Sequence, residues 1–202
     1  MNRLLPWRVA AWALGVVPLL FAAKWTIQSR LGPNPVEFLE HYTGDWTLRL
    51  LLATLAMTPL RMLTRFTEPV RVRRILGLWT FAFLCLHFSI YLVFDLGFSV
   101  LQLSEDLVKR TYITLGFTAW LMILSLAITS TTASQRRLKR RWITLHQLIY
   151  PAAILGAIHY LWLVKADTRE PLIYLAILLG LLAFRLPMAG VLFRADAVRR
   201  AD

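Results

Sequence analysis

The stretch WITLHQLIYPAAILGAIHYLW, residues 142–162, decides the fold. It is predominantly apolar for the length of a bilayer crossing, since about 20 residues rising about 1.5 Å each cover roughly 30 Å of hydrocarbon. It therefore predicts a transmembrane helix. Yet it holds two of the chain's four histidines, His146 and His159. An ionisable side chain is costly inside a span, so it turns to the bundle interior and serves a ligand, a relay or a pathway.

Similar stretches recur along the chain. Of 202 residues 58% are hydrophobic, and the mean hydropathy is +0.58. Six transmembrane helices are expected, at about 7–27, 46–63, 73–94, 112–130, 142–164 and 171–193, in one domain covering residues 1–202. The fold class is an all-α integral membrane protein. Barrel strands are excluded because the apolar runs are too long and lack period-2 alternation. No internal repeat or soluble domain is evident. The first run ends in LLFAAK, similar to a cleavage site, but its apolar part is too long for a signal h-region. With Cys85 as the single cysteine, neither an internal disulfide nor a cysteine-based metal cluster can form.

Charge sets the orientation. Arg3 and Arg8, then Arg61, Arg65, Arg71, Arg73 and Arg74, then Arg136, Arg137, Lys139, Arg140 and Arg141, and finally Arg194, Arg199 and Arg200 lie on one side, with Glu68, Asp196 and Asp202 as its acids. Lys24, Arg30, Lys109, Arg110, Lys165 and Arg169 lie on the other, among Glu37, Glu40, Asp45, Asp95, Glu105, Asp106, Asp167 and Glu170. The positive-inside rule places both termini and the two basic loops in the cytoplasm. The net charge of +12 thus reports topology and contact with membrane lipid, and no nucleic acid is expected as a partner.

His41 falls in the loop between the first two spans, where it reads as solvated. His87 lies in the third span and His159 in the fifth, which run in the same direction, seven and five residues before their respective ends. The two sit at nearly one depth. Neutral imidazoles facing each other at one level of a helical bundle can take both axial positions of a haem iron. No Cys-x-x-Cys-His motif is present, so covalent c-type attachment is excluded and b-type haem is expected. His146 lies thirteen residues before His159, about 20 Å along the helix and about 220° around it, and Pro151 between them offers a kink to bring both inward. The residue fourteen before His87 is Arg73. Arg73 or Arg74 suits haem propionates better than iron. One or two haems fit these residues.

The segments TGDW 43–46, RRILGL 73–78, LHFSIY 86–91, KRTYITLG 109–116, LAITS 126–130, WITLHQLIY 142–150 and HYLW 159–162 together resemble the MsrQ family of haem-binding membrane subunits, within the ferric-reductase-like transmembrane group. Two departures are visible, Thr111 where the family tends to have proline and Gln147 where it tends to have arginine. The resemblance implies that His87, His146 and His159 are haem-associated. It implies FMN in the electron path, a bacterial inner membrane, and delivery of electrons to an MsrP-type periplasmic molybdopterin subunit that reduces methionine sulfoxide in oxidised proteins.

No Gly-rich phosphate loop occurs, so the chain is not expected to be a self-sufficient reductase, nor to reduce sulfoxide alone. Quinol or a cytoplasmic flavin reductase is the expected donor, docking at the basic loops. The alternative class is a His-dependent proton- or metal-coupled transporter, which would show repeated halves, broken helices and intramembrane carboxylates.

Overall fold

The computed structural model describes residues 3–164 and 167–185. Among them all regular structure is helical. The long helices are α1 (Leu4–Ile27), α2 (Pro35–Thr64), α3 (Glu68–Ile90, continued by a π turn at Tyr91–Asp95), α5 (Thr111–Ile128), α8 (Ile149–Leu163) and α9 (Arg169–Ala183). Shorter ones are α4 (Val100–Lys109), α6 (Thr132–Leu138) and α7 (Arg140–His146). Three helical segments are long and apolar enough to cross a membrane: Leu4–Ile27, Glu68–Asp95 and Thr111–Ile128.

The other expected spans differ from their sequence boundaries for physical reasons. The second begins eleven residues early, because Asn34 caps it by accepting from Glu37 N at 3.3 Å and Pro35 supplies the fixed φ of a first helical turn. His41 is consequently on a helix and not in a loop. The fifth is broken at Gln147–Leu148, where the backbone switches to three-residue bonds, Gln147 N to Thr144 O and Leu148 N to Leu145 O. Pro151 lies four residues beyond Gln147, so it has no N–H for the Gln147 carbonyl and its ring crowds that carbonyl, which puts the break here and leaves the proline in the first turn of α8. The expected last span extends to 193, and its part beyond residue 185 lies outside the described residues, as does the C-terminal cluster of arginines.

α2 packs along α3, α5 along α8, α1 on the outer side of α3, and α9 against α8 and α2. Small residues permit the close approaches. α8 presents Ala152, Ala153 and Ala157, all buried, to Leu51, Leu52 and Leu55 of α2, Ile123 of α5 and Leu178 of α9. A second cluster joins Ala11, Leu50, Val72, Leu76 and Phe83 across α1, α2 and α3. On α1 a Cβ at Gly15 would fall 2.1 Å from the Trp79 ring, so glycine there lets the indole lie on the α1 backbone. Buried Thr43, Thr47, Thr54 and Thr80 bond carbonyls in the preceding helical turn, which satisfies their hydroxyls inside the bundle.

Candidate functional site

α3 and α8 bring His87 and His159 together with ring centroids 6.4 Å apart and planes at 78°. Each ring is fixed from behind by a backbone carbonyl. His87 Nδ1 lies 3.0 Å from Glu40 O on α2, and His159 Nδ1 lies 2.7 Å from Tyr112 O on α5. A carbonyl only accepts, so both rings donate through Nδ1, and Nε2 is left as the free lone pair. An acceptor behind the ring in this way fixes the tautomer and aim of a metal-binding imidazole.

A glycine sits four residues after each carbonyl. A Cβ on Gly44 would stand 3.3 Å from His87 Cε1, and one on Gly116 would stand 2.9 Å from His159 Nδ1. The rings therefore lie directly on helix backbone.

The pair borders a cavity of about 350 Å³ whose wall includes Leu48, Leu84, Phe88, Phe117, Trp120 and Ile123. Phe88 and Trp120 have centroids 4.9 Å apart, and Phe117 stacks on Trp120 at 5.8 Å. Two buried polar atoms on this wall, Glu40 Oε1 and Trp120 Nε1, have no close hydrogen-bond partner among the described residues.

This donor set fits haem. Metal–imidazole bonds of about 2 Å on either side, plus the half-width of each ring, span roughly 6 Å between centroids, close to the separation found. A flat aromatic and aliphatic wall beside the pair suits a porphyrin face. Among the described residues no group of three or more His, Cys, Asp or Glu could hold a metal ion. Two imidazoles alone are too few for a closed protein-ligated zinc site, whereas a porphyrin supplies four further nitrogens.

His146, Arg73 and Arg74 do not join this pair. His146 ends α7 at the foot of α5, stacked on Trp142 at 3.9 Å and 3.2 Å from Thr129 Oγ1 through Nε2. Trp142 Nε1 donates to Thr129 O at 2.8 Å. Arg73 is near enough to His146 to interact electrostatically, and its Nη1 is 3.5 Å from Thr58 Oγ1. Arg74 is exposed. Trp120 and Tyr160 line the cavity, while Trp79 packs against α1 and Trp162 is exposed.

The two halves of the site repeat. Both Nδ1 contacts join residues 47 apart in sequence. The carbonyls of Glu40 and Tyr112, the glycines 44 and 116, and the histidines 87 and 159 are each separated by the same interval of 72 residues. Shifted by it, α3 overlies α7 and α8 nearly end to end. No repeat was expected from the sequence, because side chains flanking these positions differ; EHYTG and YITLG share only the final glycine. By the same offset the counterpart of His146 is Arg74, so the surroundings of His146 do not repeat the pairing of His87 with His159.

Sequence reasoning missed Arg49, which lies inside the expected second span. Its Nε donates to Tyr174 Oη at 2.7 Å, and its Nη2 is 3.6 Å from Asp45. Its charge inside a predicted span was the available signal.

Residues 43–157 match the family described as ferric reductase like transmembrane component. The chain is 54% identical over 155 residues, 77% of its length and 71% of the relative's, to the protein-methionine-sulfoxide reductase heme-binding subunit MsrQ of Xanthomonas campestris pv. campestris strain B100. It is 49% identical to the MsrQ subunit of Xanthomonas axonopodis pv. citri strain 306 over 88% of this chain and 83% of that one. It is 46% identical to that of Rhodospirillum rubrum over 89% and 86%. No solved structure matches.

Proposed function

Because the chain belongs to the MsrQ family of haem-binding subunits within the ferric reductase-like transmembrane group, we propose that it is a multi-pass membrane subunit carrying electrons through haem b to a methionine sulfoxide reductase. The observation that carries this reading is the His87–His159 pair, 6.4 Å apart and aimed by two backbone carbonyls. Haem supplies a one-electron carrier between donor and acceptor. The protein's share is to hold and orient it. His87 and His159 would hold it through Nε2, and both Nδ1–H groups stay on their carbonyls, which keeps the rings in one aim. Phe88, Phe117 and Trp120 exclude water from one wall.

Electrons enter at the basic face, from quinol or a cytoplasmic flavin reductase, and FMN takes part in the electron path. His146, Arg73 and Arg74 serve the inner half of that path, the arginines by pairing with carboxylates or phosphates. Electrons leave on the outer side to an MsrP-type molybdopterin subunit, which reduces methionine sulfoxide in periplasmic proteins. The membrane is the bacterial inner membrane, and both termini are cytoplasmic. A His-dependent transporter is the poorer reading, since a proton relay needs both ring nitrogens free to exchange and here both Nδ1 atoms are committed.

Purification from haem-replete cells tests the proposal. Expected are a Soret band, narrow α and β bands on reduction, and whole-number haem per chain; colourless protein would overturn it.

A further inference from the structure

We propose that Arg110 anchors the propionates of the haem held between His87 and His159 and so sets which way round the porphyrin lies. This rests on reading that cavity as a haem site. Glu37, Glu40, Asp45 and Asp95 line the cavity, and among its described lining residues Arg110 is the sole lysine or arginine. Haem brings two carboxylates of its own. The wall carboxylates offer them no partner, whereas a guanidinium presents the matching fork.

Arg110 is already held at the rim. Its Nε is 3.3 Å from Asp106 Oδ1, while Asp106 Oδ2 accepts from Tyr91 Oη at 2.6 Å. Tyr91 stands one turn beyond His87 and lines the same cavity. Asp106 thus engages one edge of the guanidinium and leaves the terminal NH2 groups for another carboxylate.

The imidazoles do not choose an orientation. His87 with Glu40 and Gly44 matches His159 with Tyr112 and Gly116 across the 72-residue offset, so the ligands are nearly two-fold. Charge breaks the tie. At that offset Arg110 corresponds to Phe38, which leaves the cation on one side only.

The test compares full-length, haem-loaded wild type with Arg110→Gln, Arg110→Lys and Lys109→Gln. Lys109 is a fair control because its charge is adjacent but bound to Glu105 at 2.8 Å and absent from the cavity wall. Two quantities are read, the midpoint potential of the haem and the rate at which it passes to apomyoglobin. A nearby cation favours the extra electron of reduced haem. Arg110→Gln should therefore keep the low-spin bis-imidazole spectrum, lose haem about tenfold faster and weaken reduction about tenfold, read as a midpoint lower by about 59 mV for one electron. Arg110→Lys should recover part of both effects, and Lys109→Gln should resemble wild type. If Arg110→Gln matches Lys109→Gln in both readouts while its His-dependent spectrum persists, the anchor is wrong and the haem site stands. A wild-type spectrum indifferent to His87 and His159 overturns the site and the anchor together.

Discussion

His159 donates through Nδ1 to the carbonyl of Tyr112 at 2.7 Å, so a backbone atom on α5 aims a side chain on α8. The same bond, between His87 and Glu40, aims the opposing ring. Neither aim depends on a side chain that mutation could easily remove.

Replacing either histidine removes one of two axial ligands. His87→Ala and His159→Ala should each abolish the low-spin spectrum of the haem between them, measured as the reduced-minus-oxidised α band per chain. Retention of that band in both variants would exclude the pair.

The glycines beneath the rings should be nearly as sensitive. In Gly116→Ala the new Cβ meets His159 Nδ1 at 2.9 Å, which pushes the ring off its carbonyl, whereas Gly44→Ala meets His87 at 3.3 Å and needs a smaller shift. Overpacking of this kind costs about 1–3 kcal/mol. Haem affinity should fall roughly five- to a hundredfold in Gly116→Ala and less in Gly44→Ala, by titration of the haem-free protein.

His146→Ala should leave the His87–His159 spectrum intact, because His146 sits at the inner foot of α5 beside Thr129 and Trp142, away from the cavity. Its effect is expected in the inner half, as slower reduction by the cytoplasmic donor in stopped-flow measurements. Loss of the outer spectrum in this variant would contradict the separation of the two levels.

Reduced protein in membranes should be reoxidised when an MsrP-type subunit and methionine sulfoxide are both added. The chain alone should reduce no sulfoxide. Turnover without the partner, followed as loss of methionine sulfoxide, would overturn the division of roles.

The depth match of His87 and His159 was legible because helix rise is rigid, so counting residues to the span ends places two side chains at one level. The carbonyls of Glu40 and Tyr112 were not legible. A backbone acceptor carries no residue signature, and which carbonyl a ring meets is decided by how α2 lies on α3 and α5 on α8. Gly44 and Gly116 carried no signal for the same reason, since their meaning is a contact with a side chain of another helix. The break at Gln147–Leu148 was announced by Pro151, whose ring crowds the Gln147 carbonyl four residues back, but the expected turning of His146 inward with His159 does not follow from it, since His146 stays off the cavity wall. α4 was missed as a separate element in a stretch read as loop, although its Ser99 cap, accepting from Gln102 N at 3.3 Å, was visible as a start signal.

The 72-residue interval makes the half of this protein around His87 and His159 two jaws. One jaw is α2 with α3, the other α5 with α8, and each is internally well packed, while α3 meets α5 and α2 meets α8 over shorter lengths. Between the two histidines the seam is cavity. Whatever is gripped there behaves as a keystone, and its binding energy becomes cohesion between the jaws. A ligand present at a thousand times its dissociation constant adds about 4 kcal/mol to the stability of the state that binds it. Chains made faster than haem is supplied should therefore part first along α3 and α8 at the outer face, with the inner ends of the helices still closed around Ala152 and Leu55. Cofactor supply would then act as quality control on assembly.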